Sequence, residues 1–122
     1  MQWLLHGNLT PAVTEALVRH EQKTHAVAEL ELEPGAEPAD VLRVAQKKQW
    51  DVITADPALA TSPFENGRTF GRSIVFLQLD GGDVEQDDAV DRLFERYKRL
   101  SPGRLYTVTG TRVKVRQLPG LK

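Results

Sequence analysis

The stretch Asp51-Val52-Ile53-Thr54-Ala55-Asp56-Pro57 decides the fold that we predict for this chain. It is an apolar run too short for a helix, and its β-branched residues favour an extended strand. Pro57 disfavours helical backbone angles at Asp56, so the strand should end there with a carboxylate at its carboxyl end. In open parallel sheets, ligands bind outside the carboxyl ends of the strands. The stretch therefore predicts a parallel sheet with a functional edge at Asp56.

Upstream of this strand, the pattern alternates between strands and helices. In chain order, the predicted elements are a strand over 2–6, a helix over about 11–21, a strand over 24–28 and a helix over about 38–48. Thr10 is a suitable N-cap for the first helix, and Pro11 is a suitable first helical residue. Glutamates and prolines in 29–39 predict an acidic surface loop. Such alternation is typical of an α/β domain with right-handed crossovers.

Downstream, the pattern predicts a long loop, another strand, a long helix and a hairpin. Two prolines and two glycines favour an irregular loop over 57–71, with Phe64 and Phe70 as apolar anchors. In chain order, the remaining predicted elements are a strand over 73–79, a helix over about 84–100 with Asp83 as its cap and Gln86 in the capping box, and two hairpin strands around Thr109-Gly110-Thr111. We therefore predict one three-layer α/β/α sandwich with a mainly parallel sheet and a C-terminal β-hairpin.

Composition and charge exclude several classes of protein. The chain has 122 residues, no cysteine and a net charge of -1. It therefore has no disulfide framework, no thiolate zinc site and no cysteine nucleophile, and it is typical of the cytoplasm. Its longest apolar runs are too short to span a membrane. The second half is rich in arginine and lysine, which indicates either an RNA-binding patch or an ordinary solvated rim.

Polar residues should meet where the first strand and the Asp51 strand end. We expect His6, Asn8 and Asp56 to face each other there. Asp56 is either a metal ligand or the cap of a turn before proline, and Asn8 either orients water or forms a turn. His6 is either a ligand or a hydrogen-bonded structural histidine.

Two acids at the start of the second predicted helix add to this candidate site. Glu37 and Asp40 either converge on the same edge as further ligands or favour the positive end of the helix dipole. Two or more carboxylates are what Mg²⁺ or Mn²⁺ needs for phosphodiester chemistry.

Three stretches give the chain a resemblance to a known family. In chain order they are the opening Trp3-Leu4-Leu5-His6-Gly7-Asn8-Leu9-Thr10-Pro11, then Val41-Leu42-Arg43-Val44-Ala45 leading to Val52-Ile53-Thr54-Ala55-Asp56, and finally Arg104-Leu105-Tyr106 to Val113-Lys114-Val115-Arg116-Gln117-Leu118-Pro119. They are similar to stretches of the small PIN-like proteins that are predicted to be ribonucleases of toxin–antitoxin systems. In that family the opening usually reads LLDENLP and the central strand ends TxDxDF. The resemblance covers nearly the whole chain. It implies a PIN-like fold, an acidic cluster that binds Mg²⁺ or Mn²⁺, cleavage of single-stranded RNA, an antitoxin-like partner protein and a homodimer.

The chain departs from the family pattern at most of the acidic positions. The replacements are His6 for the first aspartate, Gly7 for its neighbouring glutamate, Pro38 for the aspartate of the second helix, Ala58 for the second aspartate of TxDxDF and Leu59 for its aromatic residue. Asn8, Thr54 and Asp56 match, and Glu37 lies beside the replaced helix position. Each missing carboxylate removes charge that offsets the cost of dehydrating the ion.

Two hypotheses of different classes follow. In the first, the protein is a metal-dependent ribonuclease, weakened by the missing acids, with Asp56, Asn8 and Glu37 as catalytic residues and Asp56, Glu37 and Asp40 as metal ligands. In the second, it is a module that binds RNA or protein on a PIN-like scaffold without turnover.

Overall fold

The computed structural model describes residues 2–7, 9–33, 36–66, 70–80 and 82–119. The described residues form the strands β1 (Gln2–His6), β2 (Lys23–Ala26), β3 (Asp51–Thr54), β4 (Ile74–Leu77), β5 (Arg104–Val108) and β6 (Val113–Gln117). They also form the helices α1 (Pro11–Arg19), α2 (Pro38–Lys47), α3 (Pro57–Asn66) and α4 (Asp83–Arg96). A 3₁₀ turn, Val27–Leu30, follows β2. No helix among these residues is long and apolar enough to cross a membrane.

The strands form a single sheet in the order β2-β1-β3-β4-β5-β6. Neighbouring strands are parallel from β2 through β5, and β6 pairs antiparallel with β5 at one edge. The predicted mainly parallel sheet with a C-terminal hairpin is therefore confirmed. The order reverses direction between β1 and β3, so the carboxyl ends of these neighbouring strands form the switch point where α/β proteins usually bind ligands.

Helices cover both faces of the sheet and make two apolar cores. On one face, α1 and α4 pack on Trp3, Ile53 and Val75. On the other face, α2 and α3 pack on Leu4 and Val52. Adjacent residues of β1 and β3 therefore point into opposite cores, which explains why these strands are continuously apolar rather than alternating. The fold is the predicted three-layer α/β/α sandwich.

The structure corrects one prediction about the main elements. Most of the predicted loop over 57–71 is the helix α3. Proline at its first position lacks an N–H that would have no helical partner anyway, so Pro57 favours a helix start rather than a loop. Inside α3, Pro63 leaves one helical hydrogen bond unmade, and burial of Leu59 and Ala60 offsets that loss. The predicted anchors Phe64 and Phe70 do pack in the core.

The predicted helix caps are only partly right. The backbone N–H of Thr10 and its hydroxyl both donate to Oε1 of Gln86, at 2.9 and 3.3 Å, so Thr10 does not cap α1 with its side chain. Gln86 is buried, and Gly82 rather than Asp83 is the N-cap of α4. The expected capping box at α4 is therefore wrong. The glutamine instead links the starts of α1 and α4, which pack side by side on the sheet.

Candidate functional site

The carboxyl ends of β1 and β3 meet, as the sequence predicts. The two strands are paired up to their last residues, where His6 lies beside Thr54. Gly7 follows with a φ angle of +81°, and a Cβ atom there would lie 3.3 Å from the backbone nitrogen of Asp56. Only glycine adopts this backbone conformation readily, and its lack of a side chain lets the two chain segments approach closely. The site is built on this close approach.

Short hydrogen bonds connect the polar residues of this corner. Thr54 Oγ1 accepts the backbone N–H of Asp56 at 2.9 Å and lies 2.9 Å from His6 Nδ1. The Asp56 carboxylate accepts the backbone N–H of Ala58 at 2.9 Å. Asp56 therefore caps the first turn of α3, where a carboxylate is also favoured by the positive end of the helix dipole. Of the two predicted roles of Asp56, the structure displays the cap.

Burial controls the protonation of His6. Removal of the ring from water lowers the pKa of His6 below its ordinary value of 6.5, and the nearby charge of Asp56 opposes this effect without reversing it. The imidazole is therefore mainly neutral at neutral pH. A neutral imidazole beside a threonine hydroxyl and one carboxylate is a hydrogen-bonding surface with little positive charge.

This shift predicts a pH dependence of stability. The unfolded chain takes up a proton on this histidine near pH 6.5, whereas the folded chain resists it, so stability is lost as the pH falls below 6.5 toward the folded pKa. His6→Gln should lose less stability than the wild type between about pH 7.5 and about pH 5. Urea unfolding of both proteins across that range measures the difference. Parallel pH profiles would contradict the assignment.

A cavity of about 290 Å³ opens beside His6 on the α2 side of the sheet. Val27, Leu32 and Val41 supply apolar walls, and Glu31 and Glu33 add two carboxylates. Both glutamates are exposed, so their charges lie toward the mouth of the cavity rather than in its apolar part. We call this the His6 cavity. It combines apolar walls with negative charge.

A larger cavity of about 510 Å³ lies across the end of β1, on the α1 side. Its lining includes Leu5, Gly7, Thr10 and Pro11, with Glu15 as its only charged residue among those described. The two cavities flank the same strand end. The His6 cavity is lined by two carboxylates, whereas the larger cavity is lined by one.

Glu37 and Asp40 have the second of their two predicted roles. The carboxylate of Asp40 accepts the backbone N–H of Glu37 at 3.2 Å, which closes the first turn of α2. Asp40 also lies 3.6 Å from the guanidinium of Arg43. Asp40 therefore stabilises the start of its own helix, and Glu37 is the N-cap residue of α2, at the positive end of the helix dipole.

The structure does not gather the predicted acidic residues into a metal-binding group. Among the residues that it describes, no three His, Asp or Glu side chains are close enough together to hold a metal ion. Asp56, Glu37 and Asp40 thus do not form such a cluster. Asn8, the third predicted catalytic residue, lies outside the described residues.

The sequence did not predict Glu31 and Glu33 as site residues, because the glutamates and prolines around them are typical of a surface loop. The signal was the alternation Glu29-Leu30-Glu31-Leu32-Glu33, in which Leu30 is buried and Leu32 packs on the α2 core. Leucines that anchor a segment to the core also fix the positions of the acids between them.

Comparisons of the chain with protein-family models, with curated proteins and with solved structures found no match.

Proposed function

We propose that this chain is a PIN-like protein with weak or no ribonuclease activity. At the sheet edge where the carboxyl ends of β1 and β3 meet, it binds a basic side chain of a partner protein. The partner implied by the resemblance is an antitoxin-like protein, and the cytoplasm is the location that belongs with it. The observation that carries this proposal is the His6 cavity, with its apolar walls and its two glutamates.

The chemistry of the cavity suits a lysine or arginine better than a nucleic acid. The methylene groups of a long basic side chain pack on apolar walls while its charged end pairs with carboxylates. RNA phosphates would instead meet the negative charges of Glu31, Glu33 and Asp56. In metal-dependent nucleases, bound cations offset such repulsion, and this offset needs a cluster of carboxylates.

Acetyl-arginine amide is a direct probe of this proposal, and acetyl-citrulline amide is its neutral, nearly isosteric control. We expect arginine amide, and not citrulline amide, to shift the backbone NMR signals of His6, Glu31 and Val41 in a saturable way. Glu31→Gln with Glu33→Gln should weaken this binding about tenfold, a loss of about 1.4 kcal/mol.

The matched control removes the same two charges from α4, where Glu85→Gln with Glu95→Gln should leave binding unchanged. Equal shifts with both probes, or no shifts at these residues, would refute the proposal.

A second candidate function is the metal-dependent ribonuclease of the first hypothesis. The meeting of the β1 and β3 ends favours it, since these ends carry the acids in the family pattern. In that case Asp56, with Glu37 or Asp40, would hold Mg²⁺ or Mn²⁺, and Asn8 would position water or phosphate on single-stranded RNA. A titration with Mn²⁺ into the wild type and into Asp56→Ala separates the two candidates.

A further inference from the structure

Charge is distributed very unevenly along the chain. Eight of its 16 basic residues and none of its 17 acidic residues lie in 96–122. This region contains both strands of the β5–β6 hairpin. None of the ion pairs among the described residues includes Arg104, Arg112, Lys114 or Arg116. The hairpin therefore presents positive charge that no ion pair among the described residues neutralises.

The outer edge of β6 has backbone groups available for pairing. β6 is the last strand of the sheet. Two backbone hydrogen bonds show which residues of the β6 segment have their N–H and C=O groups toward β5. The N–H of Thr109 donates to the carbonyl of Arg112 at 2.8 Å, and the N–H of Leu118 donates to the carbonyl of Gly103 at 2.9 Å. By the alternation of an antiparallel ladder, residues 112, 114, 116 and 118 bond to β5, while the N–H and C=O groups of Val113, Val115 and Gln117 point away from it.

The two faces of this edge differ in chemistry. Lys114 and Arg116 lie opposite Thr107 and Leu105, on the α3 face of the sheet. Val115 lies opposite Tyr106 on the α4 face and is 39% exposed. The edge thus alternates between basic side chains on one face and valine on the other.

One of these basic side chains is held in place by an aromatic ring. The guanidinium of Arg116 lies 3.9 Å from the centre of the Phe64 ring, within the range of a cation–π contact. This contact holds Arg116 against α3, beside the strand edge, and reduces the entropy that the side chain would lose on binding a partner.

We propose that the outer edge of β6 binds an extended acidic segment of a partner protein, which adds to the sheet as an antiparallel strand. The segment alternates acidic and apolar residues. Its acids lie on the α3 face beside Lys114 and Arg116, and its apolar residues lie on the α4 face beside Val115. Backbone hydrogen bonds to Val113, Val115 and Gln117 supply the pairing, as in other cases of strand addition. This inference does not rest on the function proposed for the His6 cavity.

The same features disfavour the other possible occupants. In an antiparallel pair of two β6 strands centred on Val115, Lys114 would lie opposite Arg116, and like charges opposite each other are destabilising. Single-stranded RNA binds most firmly where bases stack on open aromatic rings. Here the nearby Phe64 ring is covered by Arg116, and Tyr106 is buried. A peptide uses both the charges and the unpaired backbone groups.

A fluorescently labelled peptide of sequence TEVEVET tests the proposal by anisotropy against the full chain. In the proposed register the amides of its valines face β6, whereas those of its glutamates face away. We expect N-methylation of the valines to weaken binding at least about tenfold and N-methylation of the glutamates to change it little. The scrambled peptide TEEEVVT should also bind at least about tenfold more weakly.

Reversal of the two basic charges on β6 provides an independent test. Lys114→Glu with Arg116→Glu should reduce binding of TEVEVET at least about tenfold and confer binding of TKVKVKT. The control Lys98→Glu with Arg99→Glu makes the same change in net charge outside β6, and it should leave both preferences as in the wild type.

Three outcomes would overturn the proposal. The first is binding that is insensitive to valine N-methylation, because strand pairing would then be absent. The second is binding of oligouridylate, but not of TEVEVET, that the β6 charge reversal abolishes. The third is concentration-dependent self-association through β6, measured by sedimentation, that excludes the peptide.

Discussion

Asp51→Ala should lower the free energy of unfolding by about 3–5 kcal/mol, the largest effect that we expect from a single substitution here. The Asp51 side chain is almost fully buried at the start of β3. It accepts hydrogen bonds of 2.9 Å from both the backbone N–H and the hydroxyl of Ser73, and its other oxygen lies 3.1 Å from Arg72. Alanine would leave two buried donors of Ser73 without a partner. Because small domains have only about 5–15 kcal/mol of stability, the variant should lose a large fraction of its stability.

Urea unfolding measures this effect, and two control variants interpret it. Asp51→Asn retains an oxygen for Ser73 but turns an amide toward Arg72, so it should fall between wild type and alanine. Asp88→Ala breaks the exposed pair with Arg92 on α4, and it should change stability by less than about 1 kcal/mol. If Asp51→Ala were as mild as Asp88→Ala, the buried network would not hold β3 and β4 together as we infer.

Gly7→Ala should cost about 2–3 kcal/mol, the second largest effect. The left-handed φ angle penalises alanine by about 1 kcal/mol, and the added Cβ would press on the backbone of Ala55 and Asp56. Gly103 is a matched control because its φ angle is +78° but no atom lies within 4 Å of an added Cβ. Gly103→Ala should therefore lose only about 1 kcal/mol.

The difference between the two alanine variants isolates the close approach of the β1 and β3 ends. Differential scanning calorimetry or urea unfolding of both variants provides it. Equal losses would mean that β1 and β3 do not come as close at Gly7 as the structure places them.

The arrangement of the sheet could be predicted because the decisive signals are local. The stretch from Asp51 to Pro57 combines a short β-branched run with a proline stop, and the opening strand has the same continuous apolar character. Both strands lie in the sheet interior with helices on each side, where such runs are expected. The hairpin around Gly110 was also predictable from its alternation and its turn residues.

The helix α3 was missed because its sequence contains signals of opposite meaning. Pro57 and Pro63, with nearby serine and glycine, are typical of loops, whereas Asp56 followed by proline is a favourable helix start. The burial of Leu59 and Ala60 against the α2 side of the sheet decides between them. Tertiary packing of that kind has no local signature in the sequence.

The candidate site was predicted in part. His6 and Asp56 lie together as expected, connected through Thr54, because the ends of neighbouring parallel strands share an edge. Asn8, the third residue expected there, lies outside the described residues. The glutamates of the His6 cavity and the partners of Asp51 depend on residues that come together only in the folded chain. The Asp51 carboxylate, for example, binds residues 21 and 22 positions away.

Titration of Mn²⁺ by isothermal calorimetry, into the wild type and into Asp56→Ala, tests the central claim. The claim is that Asp56 caps α3 and that the described residues around it form no metal-binding cluster. Asp56→Ala should be about 1 kcal/mol less stable because α3 loses its cap, and it should remain folded. We predict that the two proteins give the same heats, with Mn²⁺ binding no tighter than millimolar. A micromolar site in the wild type that disappears in Asp56→Ala would contradict the account.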